Sequence, residues 1–274
     1  MGKIADALER HEKENTVKLE DLKLELPKRL AIEKPEVSLP EEAGLKREFS
    51  DKLVTLSDPD SADAESFKVL RGQILFPRGR QVPKSILVTS PLPGEGKTYV
   101  AANLALTLAL SIDEYVVAID SDLRRPRMHL VFGHRNVRGL HDYLVGGGRL
   151  DDLILESGIE KLSLLPAGKV ARNATELLSS NMMAKFLRDA KDIFKDRFVV
   201  IDSPPCHIIA ETKSLAQHVE GIIFVVMANK TPRKEIEKAM DNIGREKILG
   251  VIFNGYEQVR KSYYRYYDRY YKGR

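Results

Sequence analysis

The sequence is poor in cysteine and in long apolar runs, and each shortage excludes a class of protein. Its single cysteine, Cys206, cannot form an internal disulfide or a multi-thiolate metal site, which predicts a reducing compartment and an inert small residue. The longest apolar runs, such as residues 221–228, fall far short of the roughly 20 residues that span a bilayer. The N-terminus also lacks the continuous apolar stretch of a secretory signal. These absences predict a protein of the cytoplasm.

Excess positive charge is confined to the C-terminus. The 274-residue chain has a net charge of +4, and residues 256–274 alone carry six Lys/Arg against Glu257 and Asp268, which is again +4. The other 255 residues therefore sum to zero. This balance argues against a broadly basic nucleic-acid-binding face, so no nucleic acid is expected as a partner.

The first 50 residues cannot bury a core of their own. They contain ten Lys/Arg and twelve Asp/Glu, with three prolines in the later half, and this composition predicts a mobile charged arm. Apolar side chains near its start share one helical face, so residues 3–14 are predicted to form a short helix, either docked on a partner or solvated. A domain over residues 51–255 and a tail over residues 256–274 are predicted to follow.

From about residue 61 the pattern alternates between helices and short β-branched runs, which is typical of a parallel sheet covered on both faces. We therefore predict an α/β fold with a doubly wound, mostly parallel sheet. Strands are predicted near residues 85–89, 115–120, 162–166, 198–202, 221–228 and 248–254, and helices near residues 61–75, 97–111, 182–194, 211–219 and 232–245.

A glycine-rich loop lies between the first predicted strand and the next helix. It reads Pro91-Leu-Pro-Gly-Glu-Gly-Lys-Thr98. Glycines let the backbone N–H groups of such a loop approach a phosphate closely. Lys97 would reach the β/γ-phosphates and the Thr98 hydroxyl would coordinate Mg²⁺. Pro91 stands where the strict motif has glycine, so this is a deviant P-loop that predicts ATP and Mg²⁺ as cofactors.

Three aspartates stand at the ends of predicted strands. Asp120 and Asp122 come after the second strand, with Arg124 just beyond, and Asp202 ends a later strand. Ligands of open α/β sheets bind at this carboxyl edge. Like charges in a cleft need a cation or a proton between them, and Mg²⁺ would supply one. Asp202 is suited to hold a metal-bound water.

These motifs resemble those of the bacterial tyrosine kinases of capsule and exopolysaccharide synthesis, including stand-alone forms associated with exosortase-linked polysaccharide loci. The likeness spans residues 60–274. It rests on Thr89-Ser-Pro-Leu-Pro-Gly-Glu-Gly-Lys-Thr98, Ile119-Asp-Ser-Asp-Leu-Arg-Arg-Pro126, Ile201-Asp-Ser-Pro-Pro205 and a tyrosine-rich C-terminus. Asn173-Ala-Thr-Glu-Leu-Leu-Ser179 also looks like the family's Asn-Pro-x-Glu-Leu-Leu segment, with Ala174 in place of its proline.

The resemblance implies roles for the site residues. Lys97 would neutralise the transferring phosphate, Asp120 would serve as the base, and Asp122 and Asp202, with Thr98, would hold Mg²⁺ largely through water. Asn254 ends the last strand at a position that contacts adenine in related P-loop ATPases, or is a simple strand-end polar residue. The residues predicted to bind nucleotide are Pro93, Gly94, Glu95, Gly96, Lys97, Thr98, Tyr99, Arg124 and Asn254.

The C-terminal tail supplies the phosphoryl acceptors in this interpretation. Seven of the ten tyrosines lie between Tyr256 and Tyr271, where tyrosine pairs alternate with arginine and lysine. A packed core rarely shows this pattern, although a sticky tail or a stacking platform for single-stranded nucleic acid would also fit it. The predicted acceptors are Tyr263, Tyr264, Tyr266, Tyr267, Tyr270 and Tyr271.

The predicted helix near residues 61–75 carries a pattern of the family's ring-forming interface. Glu65, Lys68 and Arg71 lie beside an apolar stripe and match Glu-x-x-Arg-x-x-Arg, except that lysine replaces the first arginine. The alternative is an ordinary solvated face. The resemblance also implies a membrane chain-length-regulating activator that holds the kinase at the inner membrane face, and an opposing tyrosine phosphatase.

Three other functions are alternatives to a tyrosine kinase. A non-kinase ATPase switch of the partitioning or positioning class usually carries an extra lysine at the start of its phosphate loop, whereas this chain has Ser90-Pro-Leu-Pro93 there. A metal-cluster scaffold of the same superfamily would need paired cysteines. A polysaccharide-assembly scaffold that binds nucleotide without turnover can be separated only by assay.

Overall fold

A computed structural model describes residues 48–256, except residues 136 and 207–208. The predicted arm lies outside the described residues apart from residues 48–50, and the predicted tail lies outside them apart from Tyr256. No helix among the described residues is both long enough and apolar enough to cross a membrane.

Seven strands form the one sheet of the described chain. They are β1 (Ser85–Thr89), β2 (Tyr115–Asp120), β3 (Leu155–Glu156), β4 (Leu162–Leu165), β5 (Arg197–Asp202), β6 (Gly221–Met227) and β7 (Ile248–Asn254). Their order is β3-β4-β2-β5-β1-β6-β7, and every neighbouring pair is parallel except the antiparallel pair β3 and β4. The predicted mostly parallel sheet is thus confirmed.

Helices cover both faces of this sheet. They are α1 (Val54–Ser57), α2 (Ala62–Leu75), α3 (Lys97–Ala109), α4 (Met128–Val131), α5 (Leu140–Leu144), α6 (Ala174–Leu178), α7 (Asn181–Ile193), α8 (Ile209–His218) and α9 (Arg233–Ile243), with 3₁₀ turns at Leu150–Asp152 and Arg245–Lys247. The five predicted helices and six predicted strands are all present, with ends within about two residues of prediction. The helices α1, α4, α5 and α6, the two 3₁₀ turns and β3 were not predicted.

The core has two layers because the central strands are apolar on both sides. Strands buried on both faces read as continuous β-branched runs, as β1, β2, β5 and β6 do. On one face, side chains such as Phe186 and Leu215 of α7 and α8 pack on the sheet. On the other face, Leu104 of α3 and Phe67 of α2 do so. The sheet is therefore doubly wound, as predicted.

This strand order brings the predicted site together. The strand β5 lies between β1 and β2, and Asp202 is the register partner of both Val88 and Asp120. The loop that follows β1 and the aspartates that end β2 and β5 therefore share one edge of the sheet, since neighbouring strands lie roughly 4.8 Å apart.

Candidate nucleotide and phosphoryl-transfer site

The phosphate loop joins β1 to α3 and has a backbone that requires glycine. Gly94 and Gly96 have φ angles of +80° and +92°, a left-handed region that glycine adopts without strain. Gly96 is also the N-cap of α3, so the N–H groups of the first helical turn have no intrahelical acceptor and are available to an anion. A Cβ atom at Gly96 would collide with the side chain of Asn254. Pro93 lies exposed in the same loop.

The Glu95 side chain holds the phosphate loop from within. It is 2% exposed and accepts hydrogen bonds from the backbone N–H groups of Leu92 at 2.9 Å and Met227 at 3.4 Å, and from the Thr231 hydroxyl. The Asn254 amide donates to the Glu95 carbonyl at 2.8 Å. Because Met227 and Asn254 end β6 and β7, these contacts tie the loop to the sheet. Glu95 and Asn254 were both predicted to contact the nucleotide, and their side chains make hydrogen bonds within the protein.

Lys97, Thr98 and Asp202 meet where β1 and β5 end. Lys97 opens α3, and its side chain is buried. The Thr98 hydroxyl donates to Oδ2 of Asp202 at 2.6 Å. Oδ1 of Asp202 is buried, and no described residue makes a hydrogen bond with it. Carboxylate and hydroxyl oxygens are the donors that Mg²⁺ prefers, so these residues fit the predicted ion.

Asp120 is fully buried and shapes the loop that leaves β2. Its Oδ1 accepts the backbone N–H of Asp122 at 3.1 Å, and its Oδ2 accepts those of Arg127 at 3.1 Å and Met128 at 3.0 Å. A carboxylate has about four acceptor positions, so three donors leave one free. Asp122 is half-buried and accepts the backbone N–H of Arg125 at 3.0 Å.

The ionised forms of Asp120 and Asp202 are disfavoured at this site. Burial raises the pKa of Asp202 to about 7 and the charge of Asp122 raises it too, although the Thr98 hydrogen bond and the Lys97 charge act in the opposite direction. Burial, and then the charge of Asp202, raise the pKa of Asp120 well above its usual range. Both carboxyl groups can ionise together only at a cost that a bound cation would remove.

Tyr99 points toward α2. Its hydroxyl donates to Oδ2 of Asp63 at 3.5 Å, and its ring meets Phe67 edge to face with centroids 5.7 Å apart. Burial, followed by the charge of Asp63, raises the pKa of Tyr99 to about 12, so the phenol stays neutral. The side chain of this predicted nucleotide contact therefore joins α3 to α2, and its backbone belongs to the first turn of α3.

Cys206 is buried close to the phosphate loop. Its Sγ lies 3.4 Å from the Thr89 hydroxyl, and its backbone N–H donates to the Ser90 carbonyl at 2.7 Å. Burial raises the pKa of the Cys206 thiol to about 11, which disfavours the reactive thiolate.

Arg124 forms an ion pair that the sequence did not indicate. Its Nη2 lies 2.9 Å from Oε1 of Glu211 on α8, and the same nitrogen donates to the Thr175 hydroxyl on α6 at 2.7 Å. Thr175 lies in the segment that looks like the family's Asn-Pro-x-Glu-Leu-Leu motif. Glu211 was missed, and the only signal for it is an acidic residue on the helix that follows β5.

The predicted interface residues lie on α2. Lys68 pairs with Glu65 at 3.2 Å and donates to the Pro59 carbonyl at 3.2 Å. Arg71 donates to the Thr107 carbonyl on α3 at 3.1 Å, so this arginine also anchors α2 to the helix that starts at the phosphate loop. The six predicted acceptor tyrosines lie outside the described residues.

Comparisons with known proteins place the chain among relatives. No family profile matches the chain. Tyrosine-protein kinase YwqD of Bacillus subtilis is 31% identical over 217 residues, covering 78% of this chain and 90% of that protein. The kinase domain of the Escherichia coli tyrosine kinase ETK is 26% identical with a TM-score of 0.70, covering 81% of this chain and 87% of that one. The septum site-determining protein MinD of Pyrococcus horikoshii, solved with Mg-ADP, is 27% identical with a TM-score of 0.53, covering 65% of this chain and 72% of that one.

The ETK match covers more of this chain than the MinD match and has the higher TM-score, 0.70 against 0.53. Any stretch that covers 78% of this chain must include the phosphate loop and the strand-end aspartates, so the YwqD match contains both. With this identity and coverage, the chain belongs to the bacterial tyrosine-protein kinase family.

Proposed function

We propose that this protein is an ATP- and Mg²⁺-dependent tyrosine autokinase that phosphorylates the C-terminal tyrosines of a neighbouring copy and thereby regulates polysaccharide synthesis or export. The observation that carries the proposal is the Thr98–Asp202 hydrogen bond of 2.6 Å, with a buried oxygen of Asp202 left open and Asp120 opposite in the sheet register. This arrangement can hold a metal-bound triphosphate beside a carboxyl group that accepts a proton.

Each residue of the site has a separate task in this proposal. The first turn of α3 and the phosphate loop bind the phosphates through backbone N–H groups, and Lys97 neutralises their charge. Thr98, Asp122 and Asp202 hold Mg²⁺, which adds charge neutralisation when bound. Asp120 takes the proton of the acceptor hydroxyl, and its pKa, which burial and the charge of Asp202 raise, makes it a stronger base than an exposed aspartate. Asn254 steadies the loop and lies on the side proposed for adenine.

The acceptor tail is suited by charge to a site rich in carboxylates. Residues 256–274 carry a net charge of +4, and their tyrosines alternate with cationic side chains. Each phosphate adds about −1.5 to −2 charge near pH 7, so three phosphates would reverse the sign of the tail. A basic tail is attracted to a neighbour's cleft, whereas a phosphorylated tail is repelled and released.

Transfer between copies requires an assembly, and α2 is the proposed contact. Val69 on α2 and Phe76 just after its end are 55% and 80% exposed, so both offer apolar surface to a neighbouring copy. Glu65, Lys68 and Arg71 supply charged groups along the same helix. A membrane activator of a polysaccharide export system and an opposing phosphatase complete the proposal, with the kinase held at the inner membrane face.

The test of the proposal separates donor from acceptor. A Lys97→Met chain with its tail intact is mixed with an active chain truncated after Gly255 in Mg-ATP, and phosphotyrosine is mapped by mass spectrometry. Phosphate at Tyr263 to Tyr271 of the Lys97→Met chain supports transfer between copies. No label in this mixture, together with label on the intact wild-type chain in a parallel reaction, would show an intramolecular reaction.

A parallel reaction with the intact wild-type chain tests the alternative, a non-kinase ATPase switch of the partitioning or positioning class. The MinD likeness, with a TM-score of 0.53 and a Mg-ADP ligand in that protein, supports this alternative. Hydrolysis of ATP by the intact wild-type chain without any phosphotyrosine would favour the switch and reject the kinase.

A further inference from the structure

Arg124, in the loop after β2, and Thr175, on α6, both bond to one carboxylate oxygen of Glu211, on α8. Oε1 of Glu211 accepts from Nε of Arg124 at 3.1 Å, from Nη2 of Arg124 at 2.9 Å, and from the Thr175 hydroxyl at 2.5 Å. Nη2 also donates to the Thr175 oxygen at 2.7 Å. The Glu211 side chain is fully buried, whereas the Arg124 side chain is 41% exposed.

The contacts fix one edge of the guanidinium and leave the other available. The Nε–Nη2 edge of Arg124 is used by Glu211 and Thr175, and no described residue accepts a hydrogen bond from Nη1. Because a guanidinium is planar and rigid, holding one edge also sets the direction of the opposite edge. Arg124 is therefore oriented before any ligand arrives.

Glu211 has a physical reason to keep Arg124 in place. Its Oε2 is buried without a hydrogen-bond partner among the described residues, so Arg124 and Thr175 provide all of its described hydrogen bonds. A buried carboxylate that loses its cation is left uncompensated, which is strongly unfavourable. Movement of Arg124 away from Glu211 is opposed for this reason.

The cluster lies on the acceptor side of the proposed site. The strand order β2-β5-β1-β6-β7 puts Asn254 and the phosphate loop on one side of Asp202, and Arg124, which follows β2, on the other. A nucleotide held by the phosphate loop with its base toward Asn254 directs its terminal phosphate toward β5 and β2. Arg124 follows Asp122 by two residues on that side.

We propose that Glu211 is a positioning residue that acts through Arg124, holding the guanidinium so that its free edge faces the phosphoryl group during transfer to tyrosine. The proposal rests on the proposed kinase function and extends it to a residue on α8. Thr175 is a second positioning residue, since its hydroxyl bonds to both members of the pair. The helix α6, which carries Thr175, would thereby be coupled to phosphoryl transfer.

A double-mutant cycle tests this role, with the Lys97→Met chain as acceptor. Glu211→Gln should lower kcat about tenfold or more, because preorganised charge at a transition state is typically worth that much or more. Affinity for a fluorescent ADP analogue should stay within about twofold, since ADP lacks the transferring phosphate. In the Arg124→Ala background, Glu211→Gln should have no further effect on kcat, because a residue that acts only through Arg124 has nothing left to position.

A purely structural role predicts a different result. Glu211→Gln would then lower kcat by the same factor with and without Arg124, and the midpoint of thermal unfolding would fall in parallel. That outcome would overturn the proposal. Glu160→Gln, at an exposed acid before β4, is the matched control and should keep wild-type kcat.

Thr175 keeps the proposal testable if Arg124→Ala does not fold. Thr175→Val preserves the side-chain shape but removes the hydroxyl, and it should lower kcat roughly three- to tenfold. Thr175→Ser restores the hydroxyl and should recover kcat to within about twofold of wild type. Equal activity of the valine and serine variants would contradict a positioning role. A wild-type chain without phosphotyrosine would instead reject the kinase function itself, which separates the two failures.

Discussion

Replacing Asp202 with asparagine should stabilise the metal-free protein at alkaline pH while abolishing its activity. The carboxyl group has a pKa of about 7 in the folded chain against 3.8 as the reference, and burial is the largest cause. A folded pKa above the unfolded one means that the folded state binds more protons between these values, so stability falls as pH rises through them. Above pH 7 the cost of the ionised Asp202 approaches about 4 kcal/mol, since one pKa unit corresponds to about 1.4 kcal/mol.

The assay is thermal unfolding followed by circular dichroism at pH 5 to 8 with EDTA. Between these limits the Asp202 contribution changes by roughly 2 to 3 kcal/mol, which in a chain of this size is about 5 to 10 °C of midpoint. The midpoint of the wild-type protein should fall by this amount as pH rises from 5 to 8. The midpoint of Asp202→Asn should fall less over this pH range, and at pH 8 the variant should unfold at a higher temperature than wild type.

Saturating Mg-ADP should raise the wild-type midpoint and narrow its pH dependence, because the bound cation offsets the repulsion between Asp202 and Asp120. The asparagine variant should respond little. Asp152→Asn, at an exposed aspartate in the turn before β3, is the control and should reproduce the wild-type curves. If Asp202→Asn were less stable than wild type at pH 8 in EDTA, the inferred strain at this site would be wrong.

Three further substitutions test the loop and α2. Asn254→Ala removes the hydrogen bond to the Glu95 carbonyl and should weaken binding of a fluorescent ADP analogue about three- to tenfold. An unchanged affinity would show that this hydrogen bond is not needed for nucleotide binding. Gly96→Ala puts a Cβ atom at a left-handed φ and against the Asn254 side chain, so it should abolish nucleotide binding. The circular dichroism spectrum should still show a folded chain. Wild-type affinity in this variant would refute a preformed phosphate loop. Arg71→Ala loses the bond to the Thr107 carbonyl and should lower the free energy of unfolding by about 1 kcal/mol. It should also shift light scattering toward monomer at low salt, and an unchanged oligomer mass would reject the α2 interface.

The sequence predicts the long elements well because their apolar patterns extend over many residues. Five helices of ten or more residues and six of the seven strands follow from hydrophobic periodicity. The short helix α4 does not, because tertiary contacts define it: it starts where the buried Asp120 accepts the N–H groups of Arg127 and Met128. Four residues are too few for a periodic signal.

The candidate site was predictable in outline for a related reason. The phosphate loop and the strand-end aspartates are each recognisable from a few consecutive residues. The neighbouring strands β1, β2 and β5 then bring these short motifs together. Pairings between distant residues leave no such pattern. Arg124 and Glu211 are 87 residues apart, and Glu95 reaches Thr231 across 136 residues. Sequence alone therefore assigned Glu95 to the nucleotide and left Glu211 without a role.

Three of the buried acids near this edge, Glu211, Asp120 and Asp202, are compensated in different ways, and the differences follow their proposed tasks. Glu211 is neutralised inside the protein by Arg124, and Asp120 is held by three backbone N–H groups. Among the described residues, Asp202 accepts a hydrogen bond only from the Thr98 hydroxyl, and the charge of Lys97 also acts on it. The acid with the least internal compensation is therefore the one proposed to bind Mg²⁺. The unfavourable free energy of ionised Asp202 is relieved when the metal and nucleotide bind. The charge that destabilises the ligand-free fold therefore favours binding of the ligand.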